Sequence, residues 1–174
     1  LQAKVRDFAI REILPAVWHY DDKDEFPLFL LEKAFAAGFL TGDIPRKYGG
    51  KGFGALDGTI LTEEIAAVCP GVATSLFDNS LGMEPLVLSE NEPLKAQYLP
   101  KIATEFKRIC FATSEPTMGS DVASLRCLVK PHGKGGYLLN GTKYWITNAG
   151  VADYMTVFAT IDPAKQHAGI GAFL

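Results

Sequence analysis

Hydroxyls and amide groups gather in residues 111–121, FATSEPTMGSD. Thr113 and Ser114 leave a strand-like run, Pro116 follows, and Gly119, Ser120 and Asp121 make a turn. Such a segment could satisfy a buried heteroaromatic ring, because each donor and acceptor on the ring's edge needs a partner once water is removed. An Asx or Ser turn that closes a hairpin would explain the same residues without any ligand. Farther along, TKYWIT alternates so that Trp145 shares a strand face with Thr147 and Lys143. An indole can stack on a flat ring while a neighbouring hydroxyl reaches its edge. A strand tryptophan can equally be plain core, and the residues alone leave both readings open.

Other chemistries find less support. GGKGFGA contains Gly50-x-Gly52-x-x-Ala55, but a helix rather than a strand precedes it, so a structural turn is the better reading than a dinucleotide fingerprint. His19, His132 and His167 have no metal or triad spacing, and no Gly-x-Ser-x-Gly elbow occurs. Glu63 and Glu64 are adjacent on a helix and point in different directions, which argues against a carboxylate pair and favours solvated or capping roles. Cys69, Cys110 and Cys127 are odd in number and lack a CxxC pair, so a disulfide framework and a zinc site are both disfavoured. The net charge of -3, with scattered basic residues, gives no footprint for nucleic acid. No apolar run is long enough to span a bilayer and no signal-peptide pattern appears.

The elements that must carry these residues fall into two classes. KVRDFAIREIL places Val5, Phe8, Ala9, Ile13 and Leu14 at helical spacing, with a kink or break expected at Pro15. EFPLFLLEKAFAAGFL reads as a well-buried helix, with Pro27 suited to its first turn and Gly38 to the left-handed residue past its end. Further helices are expected over 57–68, 72–90 and 93–103, and together they suggest an antiparallel bundle. After about residue 108 the period becomes alternating, in ICFAT, LRCLVK, YLLN, TKYWIT, YMTVFAT and GIGAFL. Asn140-Gly141 signals a two-residue hairpin turn between YLLN and TKYWIT. Helices followed by strands mean α+β, with a helical unit over 1–108 and a β unit over 109–174. A first residue other than Met and a strand-like end suggest that both ends are cuts through a longer protein.

Three collinear stretches carry a resemblance: GDIPRKYGGKGFGALDGTILTEEIA, RICFATSEPTMGSDVASLR and GYLLNGTKYWITNAGVADYMTVFAT. Over nearly its whole length the chain resembles the acyl-CoA dehydrogenase family, and its medium- and short-chain members most. The resemblance implies an N-terminal antiparallel helical bundle followed by the start of an antiparallel β-barrel domain, with FAD as cofactor. It implies that Phe111, Thr113, Ser114, Gly119 and Ser120 line the flavin and the acyl-CoA entrance, with Ser120 also reaching the CoA arm. Trp145, Ile146 and Thr147 would form the second flavin stretch, Trp145 packing on the ring and Thr147 making a polar contact. Phe77 would stand at the far end of the acyl pocket and favour a shorter chain.

The implied reaction is α,β-dehydrogenation of an acyl-CoA thioester to the trans-2-enoyl-CoA. A carboxylate would take the α-proton while the β-hydrogen leaves as hydride to the flavin, and fixed hydrogen bonds to the thioester carbonyl would lower the cost of the developing enolate. That carboxylate lies beyond residue 174 in most members, so residues 1–174 alone are expected neither to hold FAD tightly nor to turn over. Implied partners are an electron-transferring flavoprotein and further copies of the chain in a tetramer. The implied location is the cytoplasm of a bacterium or the mitochondrial matrix of a eukaryote. An acyl-CoA oxidase, or a catalytically silent acyl-CoA- or flavin-binding relative, would share these residues. Ser114 stands where the family usually has Thr, and Thr117-Met118 replace a smaller pair, which makes the loop bulkier.

Overall fold

The computed structural model describes residues 1–133 and 135–174. Its first half is helical: α1 (Gln2–Phe8), α2 (Val17–Lys23), α3 (Leu28–Ala37), α4 (Ala55–Ala66), α5 (Pro70–Leu88) and α6 (Glu92–Thr104). A sheet follows, made of β1 (Ile109–Ala112), β2 (Leu128–His132), β3 (Gly136–Asn140), β4 (Tyr154–Thr160) and β5 (Ile170–Phe173). The α+β class expected from the change of period is the one observed.

The irregularity expected at Pro15 is present, as a change of helix type rather than a sharp stop. A π-type turn over Ala9–Ile13 and a 3-10 turn over Leu14–Ala16 carry the chain into α2. A wider turn gives room where the proline ring would crowd the carbonyl four residues back and where its missing N–H leaves a gap. Val5, Ala9 and Ile13 are fully buried in the core between α1, α3, α4 and α5, whereas Leu14 faces solvent. Helix α3 buries Leu30, Leu31 and Ala34 but leaves Phe29 and part of Leu28 outside, so it is less enclosed than its composition suggests. It ends at Gly38, in the left-handed region with φ 75°.

GGKGFGA is a turn, without a strand feeding it. The Gly52 amide donates to the Ile44 carbonyl at 3.0 Å and the Phe53 amide to the Gly42 carbonyl at 2.8 Å, which folds the loop back on residues 42–44. Helix α4 starts just beyond, where the Asp57 carboxylate accepts from the Gly54 amide at 3.1 Å. Glu64, adjacent to the exposed Glu63, is buried rather than solvated. Arg6 and Gln2 reach it from α1 at 2.7 Å, so this carboxylate clasps two helices.

Helix α5 joins the two halves. Its Asn79 side chain accepts from the Ile109 amide at 2.9 Å, and Thr156 of β4 donates to the Gly82 carbonyl at 2.6 Å. A Cβ at Gly82 would sit 2.9 Å from the Ile109 carbonyl, so only glycine allows this approach. The helix covers an edge of β1 that would otherwise offer unpaired backbone groups. Met83 and Leu86 add apolar contact with Leu99, Ile102 and Ile109.

The sheet is mixed. β1 pairs with β4 in parallel over Ile109↔Tyr154 to Ala112↔Val157, and β2 meets β4 in parallel at Leu128↔Thr160. The β2–β3 and β4–β5 ladders are antiparallel. The hairpin expected at Asn140-Gly141 is displaced: β2 and β3 form it, joined through 133–135, of which Lys134 lies outside the described residues. Gly141 instead answers a close approach, since a Cβ there would meet Cys127 Cα at 2.7 Å. TKYWIT is no strand, because Trp145 at φ 58° and Asn148 at φ 60° turn the chain out of extended geometry.

Candidate functional site

Three segments converge at the end of β1. The first is residues 113–118, where the chain leaves the strand. Glu115 and Met118 exchange backbone hydrogen bonds at 2.9 and 3.1 Å, closing a tight turn with Pro116 and Thr117 at its exposed tip. The second is 143–148, whose Tyr144 amide donates to the Ser114 carbonyl at 2.9 Å. The third is α5, whose Ser75 carbonyl accepts from Asn148 Nδ2 at 2.8 Å.

A buried ion pair lies between the first two segments. Lys143 Nζ donates to Glu115 Oε1 at 2.9 Å and to the Thr113 carbonyl at 2.8 Å. Glu115 also accepts from the amides of Arg126 and Cys127 at 2.8 and 2.9 Å. Burial alone would raise the Glu115 carboxyl, but the Lys143 ammonium and these two amides outweigh it and hold it below the ordinary carboxylate range. Asp78 has the opposite surroundings. Burial pushes it up to about 7, and only the Phe111 amide offsets that. It in turn helps burial to raise the Cys110 thiol to about 11.

Thr113, Ser114, Ile146 and Thr147 are half-buried at this junction. Phe111 packs on Phe158 with ring centroids 4.9 Å apart. Trp145 does not share a strand face with Thr147, contrary to the alternating reading. Its left-handed backbone presents the indole to solvent at 84% exposure, edge-on to Tyr144. Gly119 and Ser120 are exposed, and the Ser120 carbonyl accepts from the Val122 amide as the chain enters a 3-10 turn over Val122–Ser124. Phe77 lies elsewhere, lining a cavity of about 610 Å³ with Phe53, Leu81 and Leu88. Asp43 and Glu84 add carboxyl groups to that lining, and burial raises the Asp43 carboxyl above its ordinary range.

Three buried oxygens at the junction lack a hydrogen-bond partner among the described residues: Thr113 Oγ1, Asn148 Oδ1 and Asp78 Oδ2. Unpaired buried polar atoms are costly, so they mark places where a ligand or water completes the site. A hydroxyl that both donates and accepts, an amide oxygen that accepts and an open indole face suit a flat heteroaromatic ring with mixed edge polarity. The residues present therefore fit a flavin.

Asp78, Asn148 and the joint role of Glu115 with Lys143 were not singled out by sequence reasoning. Asp78-Asn79 does leave a signal, since adjacent polar residues interrupt the otherwise apolar inner face of a helix. The ion pair leaves none, because its partners meet only through the fold.

Comparison with known proteins agrees with this geometry. Residues 1–105 match the model of the acyl-CoA dehydrogenase N-terminal domain, and residues 110–174 that of the middle domain. A Bacillus subtilis acyl-CoA dehydrogenase is 38% identical over 176 residues, covering 100% of this chain and 46% of the relative. Butyryl-CoA dehydrogenase from Megasphaera elsdenii superposes with a TM-score of 0.89 at 31% identity, covering 99% of this chain and 46% of that one. PigA, solved with FAD and proline, gives a TM-score of 0.84 at 29% identity, covering 99% and 46%. The chain belongs to the acyl-CoA dehydrogenase family, and it spans somewhat under half the length of these relatives.

Proposed function

We propose that the full-length protein is an FAD-dependent acyl-CoA dehydrogenase, converting an acyl-CoA thioester to the trans-2-enoyl-CoA. The observation that carries this reading is the junction of 113–118 with 143–148, where Thr113 Oγ1 and Asn148 Oδ1 have no partner among the described residues and Trp145 of the second segment is open to solvent. FAD, when bound, supplies the oxidant. On this reading Phe111, Thr113, Ser114, Gly119, Ser120, Ile146 and Thr147 hold and orient the cofactor, and Trp145 covers its ring and excludes water. Ser120 also meets the CoA arm. The same reading assigns the acyl chain to the separate cavity that Phe77 lines, with Phe77 in its wall.

Glu115 and Glu64 are not the proton acceptor, since Lys143 engages one and Arg6 the other. The base therefore comes from a different carboxylate, in keeping with the family likeness. Electrons leave to an electron-transferring flavoprotein, and the working form is a tetramer.

The test uses purified full-length protein and its Phe77→Ala variant with butyryl- and octanoyl-CoA. The reading expects a 2-enoyl-CoA product with an electron-transferring flavoprotein as acceptor and little peroxide. Removing the Phe77 ring should move the preference toward octanoyl-CoA. Stoichiometric peroxide would make the protein an oxidase, an unchanged chain preference would remove Phe77 from the pocket, and protein without flavin would sink the reading.

A further inference from the structure

The Lys143–Glu115 pair is more elaborate than an ion pair needs to be. Glu115 is buried and Lys143 nearly so, at 5% and 10% exposure, so both charges have given up much of their hydration. Such a pair often contributes less stability than apolar residues of the same size, and losing one partner is worse than losing both. Its hydrogen bonds explain what it does. Beyond the bond between the two charges, one goes to the Thr113 carbonyl and two come from the amides of Arg126 and Cys127. The pair thus ties together the exit of β1, the segment entering β2 and the 143–148 segment.

The bond to Thr113 matters most. It fixes the peptide plane of the residue whose hydroxyl is unpartnered, and the Tyr144 amide fixes the next carbonyl. Lys143 also anchors the run that leads through Trp145 to Asn148, which carries another unpartnered oxygen. We infer that Lys143 and Glu115 are positioning residues for the flavin: by clamping 113–115 against 143–148 they set the spacing and orientation of the atoms that meet the ring, without touching substrate. This rests on the flavin reading above. Because the pair grips main-chain groups, the effect is geometric, and neutralising both charges together does not restore it.

The experiment compares full-length parent, K143M, E115Q and the double variant E115Q/K143M. FAD affinity is read by titrating apoprotein, the fold by thermal unfolding, and the clamp by hydrogen exchange at the Tyr144 amide in apoprotein. A weakening of about tenfold in FAD affinity corresponds to about 1.4 kcal/mol of lost positioning. Both K143M and the double variant should bind FAD at least that much more weakly, show a less structured flavin absorption band, and exchange Tyr144 faster. The double variant should recover the unfolding temperature that K143M loses, because no buried charge is left alone, yet stay weak for FAD.

A double variant that binds FAD within about twofold of the parent, with Tyr144 still protected, overturns the inference. So does loss of the whole fold in every variant, which would make the pair a general stability element. A parent that never takes up FAD sinks the flavin reading and the cofactor half of the inference with it, while Tyr144 exchange still reports on the clamp.

Discussion

Asp78 and Glu115 are both buried carboxyls, and their surroundings move them in opposite directions. Glu115 has an ammonium and two amides aimed at it, so its charged form is favoured and its contribution to stability is lost as pH falls below the ordinary carboxylate range. Asp78 is buried, with only the Phe111 amide offsetting the loss of water, so its neutral form persists up to about 7. In the unfolded chain it ionises near pH 4, so between about 4 and 7 the folded state binds the extra proton. Stability should therefore fall as pH rises through that window, by at most about 1.4 kcal/mol per unit from this group. Asp78→Asn in the full-length protein should flatten the slope, as read from urea midpoints at pH 5 and pH 7. An equally steep slope in the variant would show that Asp78 is not the group responsible. Asp78 could be seen in the sequence as a polar interruption, but its protonation could not, because that depends on what β1 brings to it.

At the scale of elements, α5 against β1 is the contact that puts the candidate site in place. Asn79 caps an amide of β1, the Asp78 carboxyl faces a second, and Gly82 lets the backbones approach. Gly82→Ala would press a methyl into the Ile109 and Cys110 backbone, which cannot rotate away as a flexible side chain can. The expected loss is about 1–3 kcal/mol, read from chemical unfolding of the full-length protein, and an unchanged midpoint would mean the approach is looser than described. The helices were legible because the 3.6-residue period survives in α3 to α6. The strand expected over 142–147 is absent for a physical reason. TKYWIT alternates like a strand, but left-handed geometry at Trp145 and Asn148 is imposed by contacts with Ser114 and Ser75, which no local pattern announces. Asn140-Gly141 misled in the same way, since the glycine serves the approach of Cys127 rather than a turn.

Across the molecule, a helical half and a mixed sheet meet along α5, and the segments carrying the candidate flavin contacts converge at that seam. The two halves were legible from the change of period, and the family from three long collinear stretches. The parallel pairing of β1 with β4 was not, because nothing local to either strand sets its partner's direction. The proposed function requires that this seam hold a flavin that an acyl-CoA can reduce. The measurement is anaerobic addition of a short-chain acyl-CoA to the full-length protein while its visible absorption is followed. The protein should be yellow and bleach with stoichiometric substrate; a protein that stays yellow, or that purifies without flavin and cannot be reconstituted, would contradict the proposed function.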